Sequence, residues 1–209
     1  MNINKKLKEY IEENIFPNYE ENDLGHNLSH INYVIDRSLK FASTIKDINL
    51  DMVYTIAAYH DIGHSVDPKN HEKVSSEILK QDRNLKEYFT LDQIKIMSEA
   101  IYDHRASLEY EPRSIYGKIV SSADRNTLIE VPLKRTYKYR IKNYKNSSLK
   151  QIMDGSYEHL LSKFGKEGYA KEKMYFEDIE YKQFLKFYLI MKLFYLFVHN
   201  LMYFFLLFS

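Results

Sequence analysis

The chain has no cysteine among its 209 residues. That excludes a disulfide framework and any thiolate metal site, and it fits a reducing cytoplasm. Glycine (6) and proline (4) are too scarce for a turn-rich sandwich, a collagen-like repeat or a disordered linker. Neither charge sign dominates: 30 Lys+Arg stand against 29 Asp+Glu, a formal net charge of +1. This balance gives no electrostatic footprint for nucleic acid, which is not an expected partner. Met1 to Glu13 is highly charged and lacks an apolar run, so no signal peptide is expected. With 44% hydrophobic and 28% charged residues, one domain with a sizeable core is expected.

What is present is unevenly spread. Phe184–Ser209 carries 7 of the 12 Phe, and its only residues outside the hydrophobic class are Lys186, Lys192, His199, Asn200 and Ser209. The sequence therefore divides into a water-soluble part, 1–183, and a hydrophobic C-terminal segment, 184–209. A helix of about 25 residues reaches roughly 37 Å, enough to cross a hydrocarbon core of about 30 Å. Three readings stand: a C-terminal membrane anchor with the domain held on the cytoplasmic side by Lys182, Lys186 and Lys192; a helix buried in the fold or in an oligomer interface; or an aberrant end, such as an AT-rich frame translated past a shift. His199 and Asn200 in mid-span count against the first.

The rest reads as helix after helix. Leu7, Tyr10, Ile11 and Ile15 share one face before Pro17, and Ile31, Val34, Ile35, Leu39, Ala42 and Ile45 repeat at the 3.6-residue period. Met52, Val53, Ile56, Ala57 and His60 mark a third helix, ended near Gly63 and Pro68, and His71 to Gln81 a short fourth. Ile94, Met97, Ile101 and His104 form the stripe of a fifth. Ile115, Ile119, Val120 and Ala123 lead into a sixth, and Leu149, Ile152, Leu160 and Phe164 line a later one closed by Gly165. No segment alternates in the manner of a strand between hairpin turns, so the fold class is all-α. Lys134–Lys150 is basic and Tyr-rich, a run that reads as a solvated helix face.

Six of the eight histidines fall between residues 26 and 104. His60-Asp61 ends an apolar helical turn and precedes a glycine, so both side chains can project from the end of a rigid helix. A His-Asp doublet alone is a weak motif. Its weight comes from His30 on the helix before it and Asp124, in Ala123-Asp124-Arg125, on a helix after it. Two imidazoles and two carboxylates from three helices can close around one divalent ion. Imidazole nitrogen with carboxylate oxygen suits Mn, Fe, Co, Ni or Zn better than Ca or Mg.

His30, His60-Asp61 and Asp124 together resemble the H…HD…D signature of the HD superfamily of metal-dependent phosphohydrolases. The resemblance spans residues 24–130 and includes the opening Gly25-His26-Asn27-Leu28-Ser29-His30, similar to that of small bacterial HD-domain hydrolases. It implies a helical HD-domain bundle with His30, His60, Asp61 and Asp124 as metal ligands. Some HD families add two histidines that hold a second ion bridged by the doublet's Asp; the resemblance offers His71 and His104 for this role, so one ion is expected and a second can be accommodated. His64 occupies the place where cyclic-dinucleotide phosphodiesterases of the superfamily carry a Lys, and it is read as a catalytic group that orients or protonates a phosphate oxygen, or else caps its helix. His26, four residues before His30, is read as a substrate contact. Among the cations Arg105, Arg113, Lys118 and Arg125, the substrate-binding choices are Arg105 and Arg125, the latter as a phosphate contact or a partner of Asp124.

The implied chemistry is hydrolysis of a phosphate ester or anhydride, with Asp61 aligning a metal-activated water. No Gly-Tyr-Pro follows His104, which weighs against a cyclic-dinucleotide substrate. No acidic pair follows the doublet, unlike the alarmone hydrolases. His-Asp-Ile-Gly-His resembles the deoxynucleotide triphosphohydrolases, but this chain is much shorter. A nucleotide or another small phosphorylated compound remains as the expected substrate of a cytoplasmic enzyme, tethered if the C-terminus is an anchor. Two alternatives stay open: an HD-fold di-iron oxygenase, and a catalytically idle sensor or scaffold.

Overall fold

The computed structural model describes residues 2–20, 22, 26–125, 127–128, 130–165, 167–170 and 174–188. All regular structure among them is helical. They group into two compact units, Met1–Arg125 with Lys173–Phe176, and Asn126–Glu172 with Glu177–Ser209.

The first unit is built around α3 (Leu50–Tyr59), in which every residue from Met52 to Tyr59 is buried. A helix apolar on all sides belongs in the middle of a bundle. α2 (Leu28–Ala42), α5 (Leu91–Tyr102) and α6 (Ile115–Ala123) pack against it, α6 also packs on both α2 and α5, α4 (His71–Gln81) packs on α5, and α1 (Lys5–Asn14) packs on α3. Of these, α1, α2, α5 and α6 turn their sequence stripes inward: Leu7 and Ile11, then Ile31 and Val34, then Met97 and Ile101, then Ile119 and Val120. Burying one such side chain contributes about 1.5–3 kcal/mol.

The helix starts are fixed by side chains that accept from otherwise orphaned amides. Asn27 Oδ1 accepts from His30 N at 3.2 Å, Asn49 Oδ1 from Met52 N at 3.2 Å, and Thr90 with Gln93 forms a reciprocal capping box. Short 3-10 turns at Phe16–Tyr19, Ile62–Ser65 and Arg83–Glu87 join the helices. Where α4 ends, the phenols of Tyr10 and Tyr59 both donate to Asp82 Oδ2, each at 2.6 Å, linking α1 and α3 to the end of α4.

In the second unit, α7 (Glu130–Asn143) packs against α8 (Leu149–Phe164). Gly155 leaves room for the Arg140 guanidinium, which meets α8 where a Cβ would stand. Residues 179–188 form a further helix, and Phe184 and Tyr188 lie 4.9 and 5.2 Å, ring to ring, from Phe164. At the described start of the apolar C-terminal run, Phe184 and Tyr188 are thus buried, while Lys186 between them is exposed. Residues 189–209, which carry most of the anchor, buried-helix and aberrant-end readings, lie outside the described residues. Among the described residues no helix is long and apolar enough to cross a membrane.

Candidate metal centre

Six ligand-type side chains from five places in the first unit converge. His30 comes from the first turn of α2, His60 caps the C-terminus of α3, and Asp61 follows it at the start of a 3-10 turn. His71 is the first residue of α4, His104 lies two residues beyond α5, and Asp124 caps α6. They form two sets whose ligand atoms lie within 4.8 Å of one another: His30, His60 and Asp124, and Asp61, His71 and His104.

Asp61 stands between the sets. Its Oδ2 is 3.6 Å from His30 Nε2 and 3.4 Å from His60 Nε2. Its Oδ1 is 3.3 Å from His71 Nε2 and 3.5 Å from His104 Nε2. Asp124 Oδ1 completes the first set, 3.1 Å from His30 Nε2 and 3.9 Å from His60 Nε2.

The hydrogen bonds show what this arrangement fits. Nδ1 of His60 faces the Ala57 carbonyl at 2.8 Å, that of His71 the Pro68 carbonyl at 3.2 Å, and that of His104 the Ile101 carbonyl at 2.6 Å. A carbonyl only accepts, so each Nδ1 carries the proton and each Nε2 presents a lone pair inward, the ring orientation found in metal-ligating histidines. His71 Nε2 and His104 Nε2 are then 3.3 Å apart, lone pair against lone pair. His60 Nε2 and Asp61 Oδ1 are buried with no hydrogen-bond partner among the described residues. Buried acceptors aimed at one another are costly unless a cation lies between them. The donor set, imidazole nitrogen and carboxylate oxygen without sulfur, suits a divalent transition metal.

The electrostatics agree. Burial pushes the His60 imidazole down to about 4, and burial with the neighbouring His104 also lowers His71, so both stay neutral and ligand-competent. Burial alone would raise Asp61, but the imidazoles of His60 and His104 outweigh it and hold the carboxyl well below its usual range. Asp124 is likewise held down against burial by His30. For His104 burial is outweighed by Asp61, which raises the imidazole. In the absence of a cation, a proton on His104 relieves the facing lone pairs.

Residues behind the ligands hold them. Arg37, buried on α2, donates from Nε to the Ala123 carbonyl at 3.2 Å, and Tyr33 Oη donates to the Arg125 carbonyl at 3.2 Å. Asp124 is thereby pinned to the helix that carries His30. Asp103 is fully buried beside His104; it accepts from the backbone N–H, Nε and Nη2 of Arg113 and from Tyr110 Oη. Glu72 Oε2 lies 3.0 Å from Arg105 Nη1 and 3.9 Å from His71 Nδ1. Sequence reasoning passed over Arg37, Asp103 and Glu72; for the last two the available signal was an acid adjacent to a candidate ligand.

The other anticipated residues are placed as follows. His26 precedes the cap of α2 and so is not on the helix face of His30; it stacks on His64 with ring centroids 3.5 Å apart and planes at 18°. The pair borders the cluster, His64 5.7 Å and His26 6.1 Å from His71, ring to ring. Arg105 is tied to Glu72 and to the Lys69 carbonyl, Arg113 to Asp103, and Lys118 to Glu111. Arg125, the residue after Asp124, is 3% exposed and donates from Nη2 to Ser121 Oγ at 3.0 Å, four residues back on α6. His104 is not on the stripe of α5, because the helix ends at Tyr102; the following turn still carries it inward. His159 lies on α8, in the other unit, and His199 lies outside the described residues.

Residues 27–127 match the HD domain family. This stretch is an HD domain. The match runs from the cap of α2 to just past Asp124 and takes in all six converging side chains. An HD domain implies a bound divalent metal, in accord with the donor set described above. The crystal structure of a predicted HD superfamily hydrolase from an uncultured Thermotogales bacterium is similar, with 20% identity and a TM-score of 0.48, covering 76% of this chain and 87% of that one. Nothing among the curated proteins matches this chain.

Proposed function

We propose that the HD domain is a metal-dependent phosphohydrolase acting on a nucleotide or another small phosphorylated compound, and that His30, His60, Asp61 and Asp124 bind one divalent ion and Asp61, His71 and His104 a second. The observation that carries this reading is Asp61, whose two oxygens face different histidine sets. When bound, a divalent cation supplies a water of lowered pKa and polarises a phosphoryl oxygen.

The side chains supply the rest. Asp61, held ionised, is an acceptor that orients the attacking water and takes up its proton's hydrogen bond. His64, stacked on His26 at the border of the cluster, donates to a phosphate oxygen. Arg105 adds a cation on the side of His71, steadied by Glu72. Arg125 holds the α6 terminus so that Asp124 keeps its direction. The cysteine-free composition fits a cytoplasmic enzyme.

The test is elemental analysis of the purified full chain, followed by a screen of nucleotides and small phosphate esters with Mn, Co, Ni, Fe, Zn and Mg. Metal-dependent release of phosphate or pyrophosphate, lost in Asp61→Ala with the helical circular-dichroism signal intact, supports the reading. Full turnover by Asp61→Ala overturns it. Oxygen consumption by an iron-loaded chain would point to an oxygenase, and silence across every metal and substrate to an idle sensor.

A further inference from the structure

The two ligand sets rest on different supports. The first is carried by α2 and by the ends of α3 and α6, tied by Arg37 and Tyr33. The second needs His71, at the very start of α4, to reach Asp61 on the far side of the 3-10 turn Ile62–Ser65. Nothing in the first set brings α4 to that turn.

Two buried residues outside the ligand set do. Gly63 N donates to Ser75 Oγ at 2.9 Å, with both residues out of solvent. A Cβ on Gly63 would stand 2.7 Å from Ser75 N, 2.7 Å from Val74 Cβ and 2.9 Å from the His71 carbonyl oxygen. Glycine is required here by close approach, since its φ is not positive. The atoms it would strike are backbone and a Cβ, which yield only if the first two turns of α4 move back. Restoring ordinary contact takes a shift of roughly half an ångström or more, whereas metal–ligand distances tolerate about 0.2 Å.

We infer that Gly63 and Ser75 are positioning residues that set the distance from His71 to Asp61 and thereby decide whether the centre holds its second ion. This rests on the proposed two-set reading and adds to it a lock selective for one half. Gly63→Ala pushes α4 away from the doublet, and Ser75→Ala removes the acceptor that draws them together. Neither touches the supports of His30, His60 or Asp124.

The experiment titrates the metal-stripped full chain with Mn²⁺, reading stoichiometry by calorimetry and Mn–Mn spin coupling by electron paramagnetic resonance. His104→Ala gives the signature of a chain lacking the second ion. The wild-type chain is expected to take two ions and show coupling. Gly63→Ala is expected to keep the first ion at unchanged affinity and weaken the second by at least about 10-fold, with coupling lost. Ser75→Ala shifts the same way by less, and it decides the matter if Gly63→Ala does not fold. A wild-type chain that takes fewer than two ions overturns the two-set reading itself. A wild type with two ions, beside folded variants that keep both at wild-type affinity or lose both equally, overturns the lock.

Discussion

Asp61 and His71 meet at 3.3 Å, Oδ1 to Nε2, across a buried gap in which neither atom can donate a hydrogen bond to the other while His71 keeps its proton on Nδ1. The other oxygen of the same carboxylate is turned toward His60. One side chain therefore belongs to both halves of the cluster, and changing it should disturb both. Asp61→Asn, nearly the same shape without the charge, is expected to lower metal-dependent turnover at least about 100-fold. Metal content by mass spectrometry should fall together with activity; retention of both ions would contradict the bridging position.

Metal removal should be visible in stability. Ions that bind only the folded chain, at 100 times Kd, stabilise by about 2.7 kcal/mol per site. For a chain of this size that corresponds to a shift of about 5–10 °C per site. Chelator should lower Tm by such an amount and added Mn²⁺ should restore it, as followed by differential scanning fluorimetry.

Arg37 holds the carbonyl just before Asp124 while its guanidinium lies 5.3 Å from the ring centroids of Tyr33 and Phe41. Arg37→Met keeps much of the apolar stem and loses the donor. The expected cost is about 2 kcal/mol in urea unfolding, together with weaker binding of the first ion. Unchanged metal affinity alongside the stability loss would confine Arg37 to packing.

The pH dependence of the chelator-treated chain follows from His60. Its folded value, about 4, lies below the usual 6.5 of histidine because of burial. Between those values the unfolded chain binds the extra proton, so stability rises with pH there. The contribution is complete above about pH 6.5 and is lost as pH falls toward 4. His104, raised by Asp61, has the opposite slope. Urea midpoints from pH 7.5 to 4.5 should fall for the wild-type chain and fall less for His60→Gln.

Asp103 gathers four donors from Arg113 and Tyr110 while fully buried. Its loss leaves those donors to partly exposed side chains and frees the turn that carries His104. Asp103→Ala is expected to cost about 2–3 kcal/mol and to loosen the second ion more than the first, read by the same Mn²⁺ titration.

Much of this was legible in the residue order, for definable reasons. The helices with a buried stripe announce themselves: Ile31 to Ala42 and Met52 to Tyr59 fold where the 3.6-residue period places them, and His71 to Gln81 folds within the bounds read for a short fourth helix. α7 has no such stripe. None of its described side chains is buried, so periodicity had nothing to report, and its cations and tyrosines read only as a solvated face. His104 shows the reverse case. Extending the stripe of α5 through it reached the correct direction by the wrong element, because Asp103 leaves the helix to accept from Arg113. The convergence of His71 with Asp61 depends on a close approach of two backbones at Gly63, which no spacing encodes. The four-residue spacing of His26 from His30 puts the two on one helix face only where the helix starts before His26, and α2 starts after Asn27.

Tyr10 and Tyr59 share one oxygen of Asp82, and Tyr59 is the residue before His60. Burial together with that carboxylate raises both phenols, so neither gives up its proton near neutrality. The N-terminal helix is thus strapped to the backbone one residue from the doublet. Fraying of the first dozen residues would reach the cluster as slack in His60, by a route that involves neither ion nor substrate.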